Sequence, residues 1–395
     1  MLGRLRRSRA HRVFCLRCAI TRRTIQKRTY TSVVRSNSTW TFIHVDVVRI
    51  LINEYLKCTF VVGELSLYPE PQPLQPTISL VICTRNRANI LSECLDAIAA
   101  IVAPRQFEFI LVDNGSVDET RAVYDRFAAR APFSHRYIYE PRPGAGWAMR
   151  AGLLASRGDV VMFTDDDCYP DREIAVRGER LFSDASIGVA QGRVLLHDPT
   201  DARITIKEAD ASRWFRPGRY VRTGHFMGAN LSFRRSALLQ AGGIDPLFGP
   251  GSIVGSGADA DAAGRVILSG WAGAYAPALV VSHHHRRKAS QIPALQRRYD
   301  IGRGAYKMKQ LIVAPLRIKP VIALALLRNL TRFNAPAVAA RELVGALRYL
   351  RHRRTMARQV GQDEMAQHGR TELLAVEPSI PEAIVPAPND RSLTA

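Results

Sequence analysis

The sequence predicts an α/β fold: a mostly parallel sheet with helices on both faces, followed by a basic helical C-terminal extension. Three observations predict it. From residue 77 onward, short runs rich in apolar and β-branched residues alternate with segments of helical periodicity. The runs are mostly apolar along their length, as strands buried on both faces are. Beyond residue 290 apolar residues recur at helical spacing among many Arg and Lys.

The elements follow in order. The first 45 residues hold eleven Lys or Arg and no acid. They show no sustained period, which predicts disorder; a transit peptide, an upstream start or a basic arm would share this composition. In 46–62, Val47, Ile50, Leu51, Tyr55 and Leu56 fall near one face of a short helix. The Pro-rich run 68–76 reads as an extended linker. Residues 1–75 are thus a basic, largely disordered segment, and the main domain is assigned to 76–290.

Residues 77–83 predict the first buried strand, closed by Thr84-Arg85-Asn86-Arg87. Ile90, Leu91, Cys94, Leu95, Ile98 and Ala99 recur at helical spacing. A second strand, 107–112, ends in Asp113-Asn114-Gly115-Ser116. There Ser116 and Glu119 form a capping box opening a helix to about Arg130. Residues 137–139 are a third strand, and 145–156 a helix stopped by Gly158. The fourth run, Val160-Val161-Met162-Phe163-Thr164, ends in Asp165-Asp166-Asp167.

That acidic end organises the functional reading. Three adjacent carboxylates cannot be buried without partners. They belong at the strand's carboxyl end, where open α/β sheets place their ligands. Clustered oxygens suit a hard divalent cation, Mn2+ or Mg2+; a solvated acidic turn would carry the same residues. The tips of strands one, two and four share an edge, so Thr84, Asp113 and Asp165 to Asp167 converge. No G-x-G-x-x-G follows the first strand and no G-x-x-x-x-G-K-[ST] occurs, which argues against a dinucleotide or P-loop cradle.

Past residue 190 the alternation loosens. Arg213-Trp214-Phe215-Arg216 suits stacking of Trp214 on a sugar ring or a base, and an ordinary surface loop would look the same. Residues 228–235 read as a strand entering a helix at Ser236. The Gly/Ser-rich run 248–257 is expected to be a mobile loop, leading to Asp259, Asp261 and a helix through Leu268. Residues 277–282 read as a strand closed by His283-His284-His285, of which one could be a metal ligand. The extension 291–360 holds fifteen Lys or Arg against two acids, with an apolar patch at 321–327 and a stripe of Leu343, Leu347 and Leu350. Helices lying on an anionic membrane surface or packed on the main domain fit equally. Residues 361–395 are expected to be a disordered tail.

The net charge of +21 comes entirely from the two basic segments, so nucleic acid is an unlikely partner of the near-neutral middle. No run reaches the roughly 18 apolar residues of a membrane span, and a cytoplasmic protein, peripheral at the membrane face, is expected. Apart from Cys15 and Cys18 the cysteines are scattered in mostly apolar settings and read as buried thiols of a reducing compartment.

Together these motifs resemble the family 2 glycosyltransferases, which have the GT-A fold, over roughly residues 77–300. The resemblance rests on residues 82–87, Val112-Asp113-Asn114-Gly115-Ser116, Thr164-Asp165-Asp166-Asp167, residues 228–234, Gly257-Ala258-Asp259 and Val281-Ser282-His283. It implies a metal-dependent inverting transferase that moves one sugar from a nucleotide sugar to a glycan or lipid-linked acceptor. Thr84, Arg85, Asn86, Arg87, Asp113, Asn114 and Asp165 would bind the donor. Asp113 accepting a uracil N–H would favour a UDP-sugar. Asp165, Asp166, Asp167 and His283 would serve the metal, and Trp214 and Asn230 the acceptor or sugar side. Asp259 would be the general base, with Asp261 in reserve. Two departures stand out. Ala258 replaces the acid usual before the base, and Ala148-Met149-Arg150-Ala151-Gly152 shifts the Arg of the usual Arg-Asn and lacks the Asn. They leave open a non-catalytic nucleotide-sugar-binding or scaffold protein of the same fold.

Overall fold

The computed structural model describes residues 25–36, 39–52, 56–62, 77–104, 106–330 and 336–374. The chain divides into two units, Met1–Leu74 and Gln75–Ala395. In the first, β1 (Ile25–Ser36), β2 (Thr39–Ile52) and β3 (Leu56–Val62) form an antiparallel sheet in that order. Among the described residues, this corrects the disorder expected over 25–36 and 39–45 and the helix expected over 46–62. Runs such as Thr29-Tyr30-Thr31 and Val45-Asp46-Val47-Val48 have the β-branched and aromatic content of strands. Pairing of Val47 with Val61 and with Arg28 is a relation between segments that one segment's period does not reveal. Residues 1–24 and the Pro-rich run 68–76 lie outside the described residues.

The second unit is built on a nine-stranded sheet. Its strands are β4 (Ile78–Thr84), β5 (Phe107–Asp113), β6 (Ser134–Tyr139), β7 (Val160–Asp165), β8 (Cys168–Pro170), β9 (Ile187–Leu196), β10 (Arg213–Phe215), β11 (Leu231–Arg234) and β12 (Ala272–His283). The order is β10-β12-β9-β11-β7-β4-β5-β6, with β8 on β12. β6, β5, β4 and β7 are parallel. β11 inserts antiparallel between β7 and β9, and β9 and β12 are parallel again.

Strand residues alternate between two cores, because successive side chains point to opposite faces. Leu80, Ile82, Phe109, Leu111 and Met162 face one. Helices α1 (Ala88–Ala99), α2 (Thr120–Ala128) and α4 (Ile174–Phe182) cover it. Val81, Ile110, Val112, Val161 and Phe163 face the other, under α3 (Ala145–Ala155), α5 (Arg235–Gln240) and α6 (Ala258–Leu268). The expected capping box is absent: α2 starts at Thr120, where Asp118 accepts the Thr120 N–H, and Ser116 Oγ accepts the Asn86 N–H instead. A side chain that bonds across the strand tips is not free to cap its own helix.

The extension is helical: α7 (Ile292–Val313), α8 (Lys319–Leu330) and α9 (Pro336–Leu374). It packs on the sheet domain. Lys309 of α7 donates to Asp261 and Asp245, and Tyr306 donates to the Val221 carbonyl. α9 turns Ala346 and Tyr349 inward, and leaves Leu343, Leu347 and Leu350 exposed. α9 also runs past the expected start of the tail, because Gln362 to Gln367 are mostly good helix formers with no proline. Residues 375–395 lie outside the described residues. Among the described residues, no helix is long and apolar enough to cross a membrane.

Candidate functional site

Register brings the tips together. Thr84 pairs with Asp113 across β4 and β5, and Cys83 with Asp165 across β4 and β7. Asp165 is exposed, while Asp166 and Asp167 are buried. At the strand end Asp165 and Asp167 come together with His283, while Asp166 is taken up by Thr84 and Arg87. Asp166 Oδ2 accepts the Thr84 hydroxyl at 2.7 Å, and Oδ1 meets Arg87 Nη1 at 2.8 Å. Burial, with Asp167 and Asp165 adding, pushes Asp166 up to about 7 against the pull of Arg87. Arg87 Nη2 also donates to Asp167 Oδ2 at 2.7 Å.

Asp165, Asp167, Cys168 and His283 bring four ligand atoms within 4.8 Å of one another. Asp167 Oδ1 lies 3.2 Å from His283 Nε2 yet is buried without completing a hydrogen bond. Burial opposes its charge, but His283 and Arg87 outweigh burial and hold Asp167 well below the usual carboxylate range. Desolvation at the crowded strand tip and then the Asp167 charge push Asp165 up, although its side chain reaches the surface. His283 is raised: burial works against the proton, and Asp167 and Asp165 win. Two carboxylates and an imidazole around an orphaned oxygen fit a hard divalent cation. Cys168 fits poorly, since burial holds its thiol protonated and soft sulfur suits other metals. Asp166 is not in this group, because Thr84 and Arg87 already hold its oxygens.

Asp259 sits in the first turn of α6, after Gly257 at φ +90, a left-handed position that favours glycine. Its Oδ2 accepts the Gly228 N–H at 3.1 Å and Oδ1 the Ala260 N–H at 2.8 Å. A Cβ on Gly228 would lie 3.9 Å from Asp165 Oδ1, so Asp259 and Asp165 flank one residue. Burial, with the Asp165 charge, raises Asp259 to about 6. Ala258 is buried in a cluster with Phe248 and Tyr306, where a charged neighbour would find no water.

Asp113 is buried at the tip of β5, with Ser116 N–H on Oδ1 and the Tyr137 hydroxyl on Oδ2. Arg85 is exposed. Asn86, at φ +52, accepts the Val117 N–H. Asn114 donates to the Glu140 and Arg142 carbonyls and accepts the Gly144 N–H, so all its capacity toward those groups holds the turn into α3.

Two expected site residues have structural partners, and a third lies away from the metal group. Asn230 is buried and donates to the Arg193 and Leu279 carbonyls, where β12 bulges between Ala276 and Val280. A Cβ on Gly192 would lie 2.1 Å from its Nδ2; Asn230 is a strut, not an acceptor contact. Trp214 is exposed and pairs with Ala274; Ala274 lies opposite Ala190 and His283 opposite Leu196, so His283 is six β9 residues, about 20 Å, along the sheet. Asp261 is buried and bonded to Arg265 and Lys309, which removes it as a reserve base. The 248–257 run is also stitched in: Phe248 and Val254 are buried and Ala145 N–H donates to the Pro250 carbonyl.

Tyr299 of α7 and Arg287 join the site unforeseen. Burial, then Asp259 and Asp165, raise the Tyr299 hydroxyl, and Arg287 acts on Asp165 and His283. Neither was assigned a site role from the sequence: Arg287 stands in a basic run, and Gln296-Arg297-Arg298-Tyr299 is only faintly similar to the Gln-x-x-Arg-Trp signature of processive transferases.

A family profile described as Glycosyl transferase family 2 matches residues 79–237. Glycosyltransferase AglE of Haloferax volcanii is 28% identical over 120 residues, 30% of this chain and 40% of that protein. An uncharacterized glycosyltransferase of Mycobacterium bovis is 30% identical over 156 residues, 39% of this chain and 67% of that protein. A mannosyltransferase from Pyrobaculum calidifontis, solved in complex with GDP-Man and Mn2+, superposes with a TM-score of 0.50 at 19% identity, over 74% of this chain and 81% of that one. That likeness is one of fold. The chain spans less than half the length of AglE.

Proposed function

The chain belongs to the family 2 glycosyltransferases, and from that premise we propose that it moves one sugar from a nucleotide sugar to an acceptor hydroxyl with inversion. The observation that carries this reading is Asp259: a carboxyl raised to about 6, fixed by two backbone N–H groups, one residue away from the Asp165 cluster. A base with a pKa near the working pH is the efficient one.

Asp165, Asp167 and His283 would hold Mn2+ or Mg2+, which when bound supplies a Lewis acid for the departing diphosphate. Asp259 takes the proton of the acceptor hydroxyl. The acceptor oxygen bonds to the anomeric carbon as that carbon's bond to the diphosphate oxygen breaks, and the nucleoside diphosphate leaves with the electron pair. Arg87 orients Asp166 and Asp167, and Thr84 holds Asp166 in turn. Asp113, with Arg85 and Asn86 at the adjoining tip, lines the base side. A single uracil N–H is the donor this carboxylate accommodates best, since both its oxygens already accept one bond.

The domain division at about residue 76 and the extension from 291 belong to the same reading. The exposed Val321, Leu324, Leu327 and Leu347 among Arg and Lys would seat α8 and α9 on an anionic membrane face, near a glycan or lipid-linked acceptor. The test is Mn2+-dependent binding and turnover of UDP-, GDP-, dTDP- and CDP-sugars by the wild type and Asp259→Asn. Donor binding without turnover in the variant is the expected result; equal turnover removes Asp259 from the reaction.

A further inference from the structure

Three basic side chains and a histidine gather on the segments leading to Gly228, with no acid to meet them. Lys207 Nζ donates to the His225 carbonyl at 2.8 Å and the Gly224 carbonyl at 3.4 Å, 5.3 Å from the Tyr275 ring centre. The Arg213 guanidinium lies 5.2 Å over Phe215, and the His225 ring meets the same Phe215 edge-on at 5.2 Å. Arg213 and Arg222 are exposed, Lys207 and His225 half-buried. Burial and then the Arg213 charge hold Lys207 below its usual value. Burial and then Arg213, Lys207 and Arg222 do the same to His225. The nearby acids are engaged elsewhere, Glu208 with Arg203 and Asp210 with Arg193. Among the described residues, no carboxylate pairs with any of the four.

The placement gives the patch a direction. Lys207 is tied to β9 by reciprocal backbone bonds with Val194. His225 lies three residues before Gly228, within about 10 Å along the chain, and Gly228 carries Asp259. These segments hold none of the groups assigned to the donor or its metal, which come from the tips of β4, β5, β7 and β12. Like charges gathered without a counter-ion repel one another, and an arriving anion relieves that repulsion. Guanidinium forks match phosphate oxygens two at a time.

We propose that Lys207, Arg213, Arg222 and His225 form a phosphate subsite for the acceptor, so that the accepting molecule carries a phosphate group close to its reactive hydroxyl. This rests on the transferase reading and adds the acceptor's chemistry to it. A phosphate bound here offsets the Arg213, Lys207 and Arg222 charges that, after burial, disfavour a proton on the His225 ring, so its arrival favours that proton.

The test uses the full chain and the double variant Arg213→Gln/Arg222→Gln, whose changes fall on exposed side chains. Glycerol 3-phosphate and phosphatidic acid vesicles are titrated beside glycerol and phosphatidylcholine vesicles, and Mn2+-dependent UDP- and GDP-sugar binding is measured in parallel. Expected is at least tenfold tighter binding of a phosphate carrier than of its neutral counterpart, with the His225 ring resonances moving toward the protonated form. The variant loses that preference at least tenfold and keeps nucleotide-sugar binding. A preference in the soluble arm alone points to a free phosphate ester, and one in the vesicle arm alone to a lipid-borne one. No preference in either arm, or an unchanged preference in the variant, overturns the subsite. If the wild type binds phosphate here but no nucleotide sugar, the transferase reading fails while the subsite stands.

Discussion

Gly228 donates its backbone N–H to Asp259 Oδ2 at 3.1 Å, joining the segment that enters β11 to the first turn of α6. Because the carboxyl is raised to about 6 and must be ionised to act, kcat/KM should rise with pH through about 6 and level above it. A pH–rate profile checks this. Asp259→Asn should lower turnover about 10²–10⁴-fold with donor affinity unchanged. Stability has the opposite sign. The folded protein keeps this proton where the unfolded chain, near 3.8, has lost it, so the group's contribution falls as pH rises from about 4 to about 6. Asp259→Asn should therefore keep or raise Tm at pH 8; a marked drop would make Asp259 structural.

Asp261, two residues on, behaves as a support. Burial opposes its charge, but Arg265 and Lys309 outweigh burial and hold its carboxyl below the usual range. Its contribution is present at neutral pH and is lost as pH falls through the folded value. Asp261→Asn leaves Arg265 and Lys309 without their shared carboxylate, at a cost of about 3–5 kcal/mol. Urea denaturation at pH 7 measures that cost. Adding Lys309→Gln should cost less than the sum of the two single changes, since they share one network.

Asp259 and Asp261 also mark what the sequence could and could not tell. The apolar runs at 78–84, 107–113 and 160–165 are legible because burial on both faces writes itself into every residue, and the acidic ends follow from the cost of burying charge. Which Asp near a helix start faces the site depends on what packs there. Lys309 lies 48 positions from Asp261 and leaves no trace in the local pattern. Asn230 misled for the same reason: a polar residue in a motif reads as a contact, and only the pairing of β9 with the bulged β12 shows the Arg193 and Leu279 carbonyls it satisfies. β1 to β3 were missed because 46–62 fits a helical face by period and 1–45 shows no period, whereas 46–52 pairs with 56–62 and 25–36 with 39–50, a relation between strands that local period does not carry.

The outward faces of α8 and α9 bear on membrane binding. Leu324 is 67% and Leu347 56% exposed, too open to support the core. Leu324→Glu/Leu347→Glu should leave Tm within a degree or two and reduce flotation with phosphatidylglycerol vesicles severalfold, with little change on neutral vesicles. If the variant floats as the wild type does, these helices are only a buttress for α6.

Metal affinity should separate the three adjacent carboxylates. Asp167 Oδ1 is buried and unbonded beside His283, and Asp165 opens into the same group, whereas Asp166 is held by Thr84 and Arg87. Mn2+ titration without donor, followed by paramagnetic resonance or calorimetry, should show losses of at least tenfold for Asp165→Asn and Asp167→Asn. A smaller loss is expected for Asp166→Asn, which acts through the arginine that orients its neighbour. His283→Gln should fall between them, since it removes one ligand and the partner that keeps Asp167 ionised. If Asp166→Asn abolishes binding as fully as Asp167→Asn, the ion sits on the Arg87 side of the strand tip, and Arg87 must move to admit it.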